Sequence, residues 1–365
     1  MHDVADQCNR PGPDSYTMIY LLGWFTLYLS WFVQSATRYR GRFFLLFCLL
    51  VFGGISFFRA DVGTDTASYE SMFLDFINEY QWNGLEPAFV LLALFLSGVM
   101  PSVEIAVRAV SLVFFGFLVW FLYRSDNNER ILLLLYLLPV FAYQYSMNTL
   151  RAGLAFSFIL LATQELRQGK EKSAIIFGLS GVFFHYSAII SIIYIFLSIR
   201  SWFKFLNIFW AAIILMLVGT AYIFNQDYFL SKFALYTEYV APSPLSGLSI
   251  VFPLALILVG VLFGRLPKKE KIKLFVLGFL GISSSWLLIR FSYAGLRFLD
   301  LFAYAVPLSV LMAYARCRLS FDRVLIGSLF LAGVLSSAAA YYRFTADYTV
   351  GSSPWLPYQT WLQLF

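Results

Sequence analysis

Long apolar runs separated by short polar turns recur along almost the whole chain. The pattern predicts membrane-spanning helices over 16–33, 43–58, 103–123, 131–147, 150–165, 173–184, 186–199, 203–224, 248–264, 272–289, 298–314 and 324–342. Strict alternation of apolar and polar residues over about ten positions, the mark of a membrane β-barrel, is absent. The fold class read from the pattern is an all-α polytopic membrane protein with about twelve transmembrane helices. The stretch 85–100, LEPAFVLLALFLSGVM, is apolar enough to cross. If it did, the turn YRSDNNER at 123–130 and each later basic loop would share a side with the acidic cluster after Arg59. It is therefore expected to be a re-entrant or interfacial helix.

Charge decides how the chain threads. With 85–100 kept out of the count, RYRGR, YRSDNNER, ELRQGKEK, RSWFK, RLPKKEKIK and ARCRLSFDR share one face, and hold 18 of the 26 Lys and Arg but 6 of the 20 acids. The bias of basic residues toward the cytoplasm places that face inside and both termini outside. The outer side then carries the segment 59–102 with its helix 85–100 and a loop at 225–247. No repeat or soluble module interrupts the chain, so 1–365 reads as one integral membrane domain. Composition agrees: 60% hydrophobic, 13% charged and a mean hydropathy of +0.75, against roughly a quarter charged in soluble domains. The net charge of +6 belongs to the inner loops and implies no nucleic-acid surface. Cys8, Cys48 and Cys317 are too scattered for a metal site or a disulfide framework. The first fifteen residues lack a basic n-region, so no cleavable signal peptide is expected.

Seven of the eight basic residues outside are Arg. Arg59, Arg151, Arg290, Arg297 and Arg343 fall at or just inside helix ends, where a guanidinium normally faces a polar cavity. Interfacial anchoring explains any one of them about as well, but anchors would include Lys. Arg in particular grips phosphate with two parallel hydrogen bonds. These five are the candidates for binding a pyrophosphate headgroup. Asp65 in VGTDT, Glu86 at the start of EPAF and His185 in FFHYSAII are the candidate proton acceptors at the same level. A single His in an apolar stretch is otherwise a packed core residue, and loop acids are otherwise solvated. Aromatic residues make up 20% of the chain. Tyr69, Tyr186 and Tyr293 are candidates for stacking on sugars, against the alternative of an interfacial aromatic belt. Walker, Rossmann, GxSxG and His–Cys metal patterns are absent, so neither a nucleotide cofactor nor a metal is expected.

The segments FRADVGTDTASY, LEPAFVLL, SMNTLRAGLAFSFIL, GVFFHYSAII and the late RF of YYRF, spread over about 58–344, resemble the EpsG family within the Wzy-type polysaccharide polymerases. The resemblance implies a metal- and cofactor-independent glycosyltransferase of GT-C-like architecture in the bacterial inner membrane, its active site facing the periplasm. Its substrates would be undecaprenyl-pyrophosphate-linked oligosaccharides. A growing glycan would pass from one carrier to the nonreducing end of the next repeat, with the arginines stabilising the departing pyrophosphate. Implied partners are that lipid-linked oligosaccharide, membrane lipid, and a chain-length regulator and flippase of the same pathway, with no nucleic acid. The resemblance singles out no one acid as the base. An O-antigen ligase would share nearly everything except the acceptor. A flippase should carry charges along a path through the bilayer and show two related halves. A membrane acyltransferase would tend to use an intramembrane His reached from the cytoplasm.

Overall fold

In the computed structural model, residues 13–37, 42–79, 85–199, 245–345 and 353–361 are described, with a few isolated positions between 200 and 245. The expected span 203–224 and most of the 225–247 loop lie outside the described residues. Within them the regular structure is helical: α1 (Pro13–Thr37), α2 (Phe43–Phe57), α3 (Thr66–Asn78), α4 (Pro87–Val99), α5 (Val103–Arg124), α6 (Asn127–Asn148), α7 (Leu150–Arg167), α8 (Glu171–Phe184), α9 (Ala188–Ile199), α10 (Leu248–Phe263), α11 (Lys268–Ile289), α12 (Ala294–Arg316) and α13 (Arg323–Thr345). One isolated antiparallel bridge, Arg59 with Thr360, stands outside the helices.

Five of the described helices, α5, α6, α11, α12 and α13, are long and apolar enough to cross a membrane. Four more, α2, α4, α9 and α10, are apolar but shorter. The structure thus supports a helical membrane protein, while the expected count of about twelve spans is not reproduced. Apolar side chains cover the outside, as Ile272, Val276, Phe279, Leu280 and Leu287 do along α11, which suits lipid and not water. α6 and α12 are instead buried along most of their length and form the centre.

Helix ends follow local chemistry. Asp126 and Glu129 make a reciprocal capping box at the start of α6, satisfying two otherwise orphaned backbone donors. Ser102 caps α5, whose first turn carries Glu104 and whose last carries Arg124, each matched to the helix dipole. α6 departs from α-geometry twice, with π-helical turns at Leu133–Leu137 and Gln144–Asn148. Such wide turns often occur at functional sites.

The basic loops meet at one end. Arg42 reaches the Ser125 carbonyl, Arg124 pairs with Glu165, Arg167 with Asp126 and Glu129, and the Asn128 amide donates to the Leu319 carbonyl. At that end too, Arg316 reaches the Ile199 carbonyl and pairs with Glu270. The other end gathers residues 56–65, the start of α4, the α6–α7 and α8–α9 junctions and residues 353–361. The candidate residues lie there.

Candidate active site

Glu86 is the cap residue of α4, in extended geometry ahead of Pro87 at the first helical position. Its carboxylate does not cap the helix. Oε1 contacts His185 Nδ1 at 3.0 Å and Oε2 accepts from Arg151 Nη1 at 2.7 Å. Glu86 is 1% exposed, against 16% for Arg151 and 30% for His185. Burial pushes the carboxyl up, but the His185 hydrogen bond and the Arg151 charge outweigh it and hold the group at about 2. An ionised carboxylate only accepts, so Nδ1 carries the proton it donates to Oε1. In the neutral ring, Nε2 then carries the lone pair. That is the arrangement of a base oriented by a buried acid.

Arg151 also donates to the Tyr69 hydroxyl, whose pKa burial pushes up. The Asp65 carboxylate is close enough for its charge to act on the same phenol. The side-chain oxygen of Asn148 accepts from the Asp65 backbone N–H at 3.1 Å and from the Thr64 hydroxyl. Tyr186 donates to the Leu85 carbonyl at 3.4 Å, tying the α8–α9 turn to the residue before Glu86. Asp65, Glu86, His185, Arg151, Tyr69 and Tyr186 are therefore brought together, by the last turn of α6 and the first of α7.

Two glycines make this possible. Gly63 sits at φ +110°, open to glycine but strained for other residues, and a Cβ there would lie 2.9 Å from the Met147 carbonyl oxygen. Gly153 lets the Tyr145 carbonyl approach so closely that a Cβ would collide with it.

The remaining candidates are placed differently. Arg59 does not open onto a headgroup. It is 0% exposed and donates to the Ser56 and Ser146 carbonyls at 2.7 and 3.0 Å. Residues 353–361 seal it, through Ala60 N–H to the Gln359 carbonyl, Gly63 N–H to that of Pro354 and Trp361 N–H to that of Phe58. Tyr69 offers no ring face to a sugar, because it is buried edge-on against Phe89 with centroids 5.8 Å apart. Arg290 lies over the Trp286 ring, just past the end of α11, and Tyr293 is exposed at the start of α12. Arg297 and Arg343 are both within electrostatic reach of Asp300.

Arg108 is a buried cation at this end that is not among the five candidate arginines. It is 2% exposed inside α5 and uses its whole fork: Nε to the Arg59 carbonyl, Nη1 to Glu70 and the Glu104 carbonyl, Nη2 to Asp61 and the Ala60 carbonyl. Asp61 thus pairs with Arg108. A lone Arg five residues into an apolar span was the available signal.

The sequence profile of the EpsG family matches residues 41–360, nearly the whole chain. The chain belongs to the EpsG family. EpsG proteins serve polysaccharide biosynthesis, and the matched range takes in every candidate residue above. No curated protein and no solved structure matches this EpsG chain.

Proposed function

We propose that this protein is a polysaccharide polymerase. It transfers a glycan from an undecaprenyl-pyrophosphate carrier to the nonreducing end of another lipid-linked repeat, at the periplasmic face of the inner membrane. The observation that carries the reading is the buried Glu86 carboxylate bridging His185 and Arg151. Glycosyl transfer to a sugar hydroxyl needs a proton acceptor aimed at that hydroxyl, and His185 Nε2 is one. The acceptor oxygen bonds to the anomeric carbon as the carbon–oxygen bond to the diphosphate breaks. The hydroxyl proton passes to Nε2, and the electron pair leaves with the diphosphate. Glu86 offsets the positive charge that grows on the imidazole. Arg151, already paired with Glu86, steadies that carboxylate. The GT-C-like architecture and the roughly twelve spans belong to this proposal.

Synthesis of surface polysaccharide in a strain lacking the gene tests it. Single-repeat products restored to long chains by the wild-type gene, but not by His185→Gln, are expected. Full-length chains left on the lipid carrier would mean a ligase instead.

A further inference from the structure

The guanidinium of Arg59 has one satisfied corner and one bare edge. Nη1 donates to the Ser56 and Ser146 carbonyls, one from the last turn of α2 and one from the π-helical turn of α6. Nε and Nη2 make up the other edge, the parallel pair of donors with which Arg takes an anion side-on. Both atoms are cut off from solvent, and among the described residues no acceptor meets either of them. A buried donor without a partner costs more than one bond returns, and the cost rises when the group is charged.

The charged groups around Arg59 do not supply that partner. Arg108 Nε donates to the Arg59 carbonyl at 3.0 Å, so a second buried cation stands against the first. Glu70 and Asp61 are both paired with Arg108. The Asp61 side chain is also exposed, where water screens its charge. Residues 353–361, SSPWLPYQTW less its first serine, close over Arg59 and contain no acid. The Tyr358 hydroxyl donates to the Ile55 carbonyl, and the Tyr20 hydroxyl to the Trp355 carbonyl. Burial, followed by the Arg108 charge, lowers the Arg59 pKa to about 9, the direction expected of a cation short of counter-charge.

We propose that the Nε–Nη2 edge of Arg59 binds one small monovalent anion, of halide or formate size, as a buried counter-ion that helps to hold residues 353–361 closed. A lipid-linked headgroup is a different ligand. Neither donor reaches solvent, so a phosphate tethered to an acyl or prenyl tail cannot occupy this edge while Ala60, Gly63 and Trp361 keep their backbone bonds across the closure. The small anion offsets the positive charge that the closure encloses. Its loss leaves two buried guanidiniums to repel each other, and opening the segment lets water screen them. This role is independent of the polymerase reading.

The test is thermal unfolding of the full-length protein in nanodiscs, titrated with sodium chloride, bromide or formate against gluconate at constant ionic strength. Wild type should gain several degrees and saturate with anion concentration, as binding to the folded state alone requires. Gluconate, too large for a sealed edge, should give no gain. Arg59→Gln removes the charged fork and should be flat in every salt. A gain with formate as well as halides supports recognition by the planar fork, and a gain with halides alone supports selection by size. An equal gain in Arg59→Gln puts the anion elsewhere and overturns the site. Wild type that is flat in every salt overturns it as well, with water as the partner of the edge. Should Arg59→Gln not fold, bromide-soaked crystals of wild type decide. An anomalous peak beside Nε and Nη2 is expected, and its absence there overturns the site. The chain ending at Ser352 should lose the saturating gain, whereas a full gain there overturns the coupling to residues 353–361.

Discussion

On the proposed polymerase reading, Glu86, His185 and Arg151 at one corner act as a unit. If Glu86 works through His185, the double variant Glu86→Gln/His185→Gln should transfer no more slowly than His185→Gln alone, each near 10²-fold below wild type. Multiplicative losses in a purified polymerisation assay would mean separate roles. Acid should also loosen the site. The folded-state carboxyl titrates at about 2 against an ordinary 4.5, so its ion pairs stabilise fully above that ordinary value and lose their contribution as pH falls toward 2. Thermal unfolding of wild type and Glu86→Gln should therefore differ at neutral pH and converge on acidification. Arg108 makes a different demand. Arg108→Lys keeps the charge but has at most three donors for the five contacts in the structure. A loss of about 2–4 kcal/mol is expected from leaving buried carbonyls and Glu70 unpaired, read as a fall in unfolding temperature.

At the scale of elements, residues 353–361 behave as a strap across the opposite end of the sequence. Tyr20 of α1 donates to the Trp355 carbonyl at 2.9 Å, and Tyr358 to the Ile55 carbonyl at 2.6 Å. Phe344 and Trp355 stack with centroids 4.1 Å apart. Ending the chain at Ser352 removes these contacts together with the backbone bonds to 58–63. Arg59, sealed in the intact protein, should then react with phenylglyoxal. Continued protection in the truncated protein would show that α1 and α2 cover it unaided. The last turn of α6 is the second decisive element. Its π-helical stretch presents the Ser146 carbonyl to Arg59 and the Asn148 side chain to Asp65, and Arg151 follows on the first turn of α7.

For the whole molecule, the two ends differ in kind. One holds interlocked basic loops with carboxylate partners, while the other holds the candidate site. α4 starts beside Arg151 and His185, and the α5 that follows it sets Arg108 against residues 59–61. Thirteen residues of helix cover only about 20 Å, short of a hydrocarbon core of roughly 30 Å. We expect cysteine introduced at Ser125 to be labelled only from the cytoplasm and at Ser352 only from the periplasm. Labelling of Ser125 from the periplasm would make α4 a span and invert every later loop.

The helical class and the shared face of the basic loops were legible in the sequence, as was the grouping of Asp65, Glu86 and His185 at the other end, because hydrophobic period and charge placement are local properties. The tertiary structure decided which of these residues meet. Glu86 lies 65 residues from Arg151 and 99 from His185, and no local pattern encodes either pairing. It also reversed two expectations. Arg59 and Tyr69 read as surface groups from their neighbours in the chain, yet segments distant in sequence close over both: the strap over one, α4 over the other. Sequence set the kinds of side chain available at this end of the bundle. Burial, which depends on packing between helices, decided which of them stay exposed.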